Sequence, residues 1–236
     1  MSMLRQGYSS EDVKTFVKSS SPQHMHDSGL PILEQNMEII KALHYLNTLI
    51  QSIKNPIGTK ENPARICRDL MNCDQKVSDG IFWVDPNLGC SSDTFEVYCN
   101  FTSGGQTCLK PVSSSKLDFG VDRTQINFLH LLSSEAAQAL TVHCLDGPAW
   151  DDPVENLPHR HALRFRAFNG RLFEPGGLLA PTVLHDGCQV QDGTWRRTEF
   201  LFLVYDVQQL PIVEVLHTEP KEGARYHLEF GPVCFL

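Results

Sequence analysis

The sequence predicts an α+β fold in which a few helices accompany a mainly antiparallel sheet. Three observations carry that prediction. Apolar residues recur at helical spacing in two separate stretches, 32–54 and 124–139. Beyond the second stretch the apolar period falls to two, as in Leu140, Val142 and Cys144 alternating with Thr141 and His143. Eight cysteines, all after residue 66 and none in CxxC spacing, read as a disulfide framework formed in an oxidising compartment. Strand-like segments follow one another instead of alternating with helices, so a parallel βαβ sheet is not expected.

Taken in order, residues 1–30 are polar, with Ser19–Ser21 followed by Pro22 and Gly29, and read as a flexible linker. Ile32, Asn36, Ile39, Leu43, Leu46, Ile50 and Ile53 then fall at alternating spacings of four and three, the a/d seam of a coiled coil. The same pattern also suits an amphipathic helix packed on its own domain. Asn55, Pro56 and Gly58 end that helix. Asn62 as cap and Pro63 at the first position open a short helix carrying Ala64, Cys67 and Leu70. Strands are expected at 80–84 and 94–100, and a polar, turn-rich stretch from Cys108 to Arg123. The second helix is expected over 124–139, through Phe128, Leu129, Leu132 and Ala136. Later strands are expected around 140–144, 163–167, 200–205, 212–216 and 226–230.

Composition excludes several function classes. Lys plus Arg number 20 against 28 Asp plus Glu, a net charge of −8, which is the wrong sign for a nucleic-acid-binding protein. No apolar run reaches the roughly 20 residues needed to span a bilayer, so membrane insertion is not expected. There is no GxSxG, HExxH, P-loop or GxGxxG motif, and the cysteines read as disulfide-bonded, so no nucleophile is evident and an enzyme is not expected. The pairs His24/His26 and His159/His161 lie in polar sequence without a third ligand and read as solvated loops. Asn100-Phe101-Thr102 is a glycosylation sequon, consistent with passage through a secretory compartment. Met1–Gln6 begins no basic-then-apolar leader, so the chain reads as a piece of a longer precursor.

The segment from Asp85 to Asp93 offers two carboxylates, the Asn87 amide oxygen and a Gly turn able to aim carbonyls inward. Calcium takes about six to eight such oxygens in flexible geometry. An EF-hand is ruled out, because Cys90 stands where the sixth-position Gly must be. Spacing by itself leaves calcium and a capped polar turn as alternatives, and it leaves the cysteine pairing open.

Several segments together resemble the fibrillar procollagen C-terminal propeptide. They are Asn62–Leu70, Trp83–Cys90, Val97–Asn100, Phe128–Ala136, Asp186-Gly187-Cys188 and Gly231–Leu236. The likeness runs from about residue 40 to residue 236, in the same order and with all eight cysteines. Val190–Trp195 and Gln208–Ile212 point to the minor type XXVII/XXIV branch.

The resemblance implies a coiled-coil stalk at 31–57 followed by a propeptide domain at 58–236, with a base at 58–108 and a petal at 109–236 of fibrinogen-like architecture. It implies a calcium ion held by side chains of Asp85, Asn87 and Asp93 and carbonyls of Leu88 and Cys90. It implies intrachain pairs Cys67–Cys99, Cys108–Cys234 and Cys144–Cys188, with Cys73 bridging to Cys90 of a neighbouring chain. The family's usual sequon is replaced by Ala137-Gln138-Ala139-Leu140-Thr141, leaving Asn100 as the candidate glycan acceptor. The stretch that guides chain choice in relatives maps to about 111–125.

The implied function is a non-catalytic trimerisation and chain-selection domain that nucleates and registers procollagen. It would be secreted, assembling in the endoplasmic reticulum lumen before reaching the extracellular matrix. A homotrimer is expected, with a heterotrimer of related chains as the variant. The rival reading is a calcium-dependent, fibrinogen-related, lectin-like recognition module.

Overall fold

The computed structural model describes residues 32–71, 77–89, 92–150, 161–217, 219 and 221–236. The linker expected at 1–30 and the expected interchain pair Cys73 and Cys90 lie outside these residues.

Helix α1 (Ile32–Lys54) follows the first helical stretch. Its seam residues Ile39, Leu43, Leu46, Ile50 and Ile53 are 48–65% exposed, so within one chain this apolar face is not buried against a core. The expected short helix is a single 3-10 turn, Cys67–Leu70, with Cys67 and Leu70 buried. A second helix, α2 (Arg123–Leu132), buries Gln125, Ile126, Leu129 and His130. Among the described residues no helix is long and apolar enough to cross a membrane.

Among the described residues ten strands form two antiparallel sheets. The larger has the order β1 (Gly80–Val84), β2 (Phe95–Asn100), β3 (Gln106–Leu109), β10 (Arg225–Phe235), β4 (Ala136–Leu145), β8 (Trp195–Val204), β7 (Thr182–Asp186). The smaller is β6 (Leu172–Phe173), β5 (Leu163–Ala167), β9 (Ile212–His217). The expected α+β class thus takes the form of a mostly antiparallel β protein with few helices.

The helix expected over 124–139 is shorter. It stops at Leu132, and Ala136 begins β4. The backbone N–H groups of Ser134 and Glu135 donate to the Leu236 carbonyl at 2.6 and 3.2 Å, so pairing beside β10 captures the chain. Ala136, Gln138, Leu140, Val142 and Cys144 then face inward by strict alternation. Strands β3, β6 and β7 lie where no strand was expected. The segments are short or, in β7, largely exposed, so their patterning is weak.

The core lies between the sheets. Phe165 of β5 meets Phe200 and Phe202 of β8 edge-on, with ring centroids 5.1 and 5.2 Å apart, and Phe173 of β6 meets Phe202 at 5.0 Å. These four rings are essentially inaccessible to solvent. Edge-to-face contacts at this separation add to the burial energy of each ring. In β10 the register shifts between Phe230 and Val233. Gly231 sits at that irregularity, and a Cβ there would come within 2.9 Å of the Ala139 carbonyl.

Among the described residues three disulfides staple this frame: Cys67–Cys99, Cys108–Cys234 and Cys144–Cys188, the intrachain pairs that the resemblance implies. Cys108 and Cys234 stand directly opposite each other on β3 and β10. Their bond spans 126 residues of sequence, against 32 for Cys67–Cys99. Cross-linking removes more unfolded-state entropy from a longer loop. Replacing Cys108 and Cys234 together by Ser should therefore destabilise the chain by about 1 kcal/mol more than the same change at Cys67 and Cys99. Denaturant titration of the two double variants checks the ranking; an equal or reversed order would refute the entropic account.

Candidate functional site: an acidic loop clasped by a helix

The residues expected to bind an ion lie at the end of β1. Val84 forms a bridge with Ala64, and the Asp85 N–H donates to the Ala64 carbonyl at 2.7 Å. This pins the loop to the Asn62-Pro63-Ala64 segment. The Leu88 N–H then donates to the Asp85 carbonyl at 3.1 Å, closing a turn. Leu88 holds a left-handed backbone, φ 49°, which costs a residue with a Cβ about 1–2 kcal/mol. The Gly89 N–H donates to Asn87 Oδ1 at 2.7 Å, and a Cβ on Gly89 would come within 2.9 Å of that oxygen. Glycine permits this approach.

Asp85 is only 3% exposed. Burial pushes its carboxyl pKa up; the Gln125 hydrogen bond opposes that, and the nearby Asp93 charge adds to it. The two acids meet at one donor. Gln125 Nε2 lies 3.1 Å from Asp85 Oδ1 and 2.8 Å from Asp93 Oδ2, and Asn87 Nδ2 also reaches Asp93 Oδ2 at 3.1 Å. The remaining oxygen, Asp93 Oδ1, is buried without a hydrogen-bond partner, as is Gln125 Oε1. A buried carboxylate oxygen left unpaired costs free energy that a cation would offset.

The structure therefore brings Asp85, Asn87 and Asp93 together around Leu88, while Cys90 lies outside the described residues. Oxygen donors with an orphaned buried carboxylate oxygen fit a hard divalent cation such as calcium. Among the described residues no group of three or more His, Cys, Asp or Glu side chains is placed to hold a metal, so carbonyl and amide oxygens would have to complete any coordination here. Gln125 is the participant that sequence reasoning missed. Its only sequence signal is that it stands four residues before Leu129 on the inward face of α2.

At the sequon, Asn100 ends β2 and its Oδ1 accepts from the Ser103 N–H at 3.0 Å. Thr102 donates its hydroxyl to Asp79 Oδ2 at 2.8 Å.

The family described as "Fibrillar collagen C-terminal domain" matches residues 35–119 and 115–235. The chain is 60% identical over 206 residues to the collagen alpha-1(XXVII) chain of Rattus norvegicus, covering 87% of this chain and 11% of the relative. It is 54% identical over 211 residues to a collagen alpha-1(XXVII) chain of Danio rerio, covering 89% and 13%. To the collagen alpha-1(XXIV) chain of Homo sapiens it is 47% identical over 232 residues, covering 95% and 13%. The chain thus spans little more than a tenth of the length of these relatives.

The buried acid pair gives a pH-dependent expectation for the calcium-free protein. A carboxyl whose folded pKa is raised contributes stability below its unfolded pKa, near 3.9, and loses that contribution as pH rises through the folded value. Asp85→Asn, which cannot ionise, should be at least as stable as wild type in chelator at pH 7. The gap should narrow as pH is lowered toward about 4. Chemical denaturation of both proteins across this range is the check; a variant less stable at pH 7, with no narrowing, contradicts it.

Proposed function

Because the chain belongs to the fibrillar collagen C-terminal domain family, we propose that it is the trimerisation and chain-selection domain that nucleates and registers a procollagen molecule. The family is one of structural, non-catalytic proteins with a role in collagen chain assembly. The observation that supports the proposed role here is the exposed apolar seam of α1, from Ile39 to Ile53. A helix with such a seam left half in water gains by burying it against copies of itself.

In this reading residues 31–57 form the coiled-coil stalk, 58–108 the base and 109–236 the petal. Asn36, at an a-like position, sets register at some cost in stability. Three long repetitive strands can pair in many registers, and tethering them at one end makes correct zippering effectively intramolecular. The domain is proposed to assemble in the endoplasmic reticulum lumen and to be secreted to the extracellular matrix, as a homotrimer or with related chains.

Calcium is the proposed ion of the acidic loop, held by Asp85, Asn87 and Asp93 side chains and the carbonyls of Leu88 and Cys90. When bound it supplies charge compensation and coordination to a loop that also carries Cys90. Asp85 and Asp93 hold the loop's direction, and Cys90 is proposed to meet Cys73 of the next chain. Asn100 is the proposed glycan acceptor. Its Thr102 hydroxyl is engaged by Asp79 in the fold, which favours attachment before folding is complete.

Two outcomes test the reading. Sedimentation of the chain with calcium should give a mass of about 80 kDa, three times the 26.6 kDa chain. A strict monomer at micromolar concentration with its disulfides intact refutes it, and glycan binding lost in chelator would favour the lectin-like alternative. Cys73→Ser should remove disulfide-linked oligomers on non-reducing gels while leaving the intrachain bonds in place. If those oligomers persist, the Cys73–Cys90 assignment is wrong.

A further inference from the structure

Gln125 is 2% exposed and sits in the first turn of α2, 40 residues from Asp85 and 32 from Asp93 in sequence. One amide nitrogen serves both acids, and it also lies 3.4 Å from the Asp93 carbonyl. Two carboxylates this close repel each other, and in a site sheltered from water that repulsion is weakly screened. Hydrogen bonds to charged acceptors are the stronger kind, and here they join a loop beside β1 to a helix that precedes β4. The amide's own oxygen has no partner, so the side chain is held in place by its donor contacts.

We infer that Gln125 is a positioning residue that keeps Asp85 and Asp93 converged while no ion is bound, so that the loop awaits calcium already formed and fastened to α2. The inference rests on the calcium reading proposed above. A cation between the acids would compensate the charge that Gln125 Nε2 otherwise eases by hydrogen bonding to both, with Asn87 Nδ2 on Asp93 alone, and the Gln125 amide then becomes partly redundant. The contribution of Gln125 to stability should accordingly be larger without calcium than with it. A residue that merely fills space would matter equally in both conditions.

The test uses the full chain and thermal unfolding in chelator and in saturating calcium. Gln125→Met keeps the side-chain volume and removes the donor; Gln125→Glu keeps the shape and replaces the donor by a third acid. In chelator Gln125→Met should melt about 4–10 °C below wild type, and in calcium the deficit should shrink by at least half. Gln125→Glu should show a larger calcium-induced rise than either. Equal deficits in the two conditions, or failure of both variants to fold in either, overturn the positioning role while leaving calcium binding by the wild type intact. Absence of any calcium-induced rise in the wild type, with no heat of binding by calorimetry, overturns the calcium reading and this inference together.

Discussion

Everything else in this domain depends on β10 being paired on both sides. Its residues Val233–Phe235 lie against β3, and its length from Arg225 to Phe235 lies against β4. Through β3 it reaches β2 and β1, which lead into the acidic loop; through β4 it reaches β8 and the aromatic core. Antiparallel pairing between segments more than a hundred residues apart closes a large loop, at considerable entropic cost. The Cys108–Cys234 bond lies on this seam, where two adjacent strands already place the sulfurs face to face. Pairing and bond are therefore mutually supporting. The division into base and petal proposed from family likeness falls within one continuous sheet, not at a linker.

The α2 helix makes a second connection between the same two regions, of different chemistry. At its start Gln125 engages the acids of the loop, and further along His130 Nε2 donates to the Leu210 carbonyl at 2.7 Å, just before β9. Burial lowers the His130 pKa and the hydrogen bond to Leu210 opposes that; because a carbonyl can only accept, Nε2 carries a proton. Gln138 of β4 accepts from the Ile212 N–H at 2.8 Å, tying the larger sheet to the smaller. These contacts are polar and buried. Each fixes relative position more sharply than apolar packing could, since an unmade buried hydrogen bond costs more than a made one returns.

Much of this was legible in the sequence because the informative residues act locally or by pattern. The period of two in Leu140, Val142 and Cys144 read as a strand and is one. The seam from Ile39 to Ile53 read as helical and is. What the sequence did not reveal depends on distant partners. Ala136 and Ala139 are good helix formers, and it is the Leu236 carbonyl together with the pairing of β4 to β10 and β8 that draws the chain out of the helix after Leu132. Strand β3 is visible mainly through β2 and β10, its neighbours. At the site, Asp85, Asn87 and Asp93 stand out as oxygen donors in one short run, whereas Gln125 is a neutral residue inside an amphipathic helix. Its role becomes visible once the fold sets it across from two acids.

Among the features left unsatisfied in the described residues, two bear on the proposed role. The α1 seam exposes apolar surface that water disfavours, and the loop buries a carboxylate oxygen without a partner. A fold stabilised only for itself would carry neither. Under the proposed role both would be relieved from outside the chain, the seam by other helices and the oxygen by a cation. Under the proposed role these deficits set conditions for assembly, because binding stabilises only the state that binds. The two sheets, stapled by the three described disulfides and closed by β10, hold the loop in a defined place while the α1 seam stays exposed. The proposed trimerisation role would use that arrangement: an interior closed by its own pairing, and contact surfaces whose stability is completed only by partners.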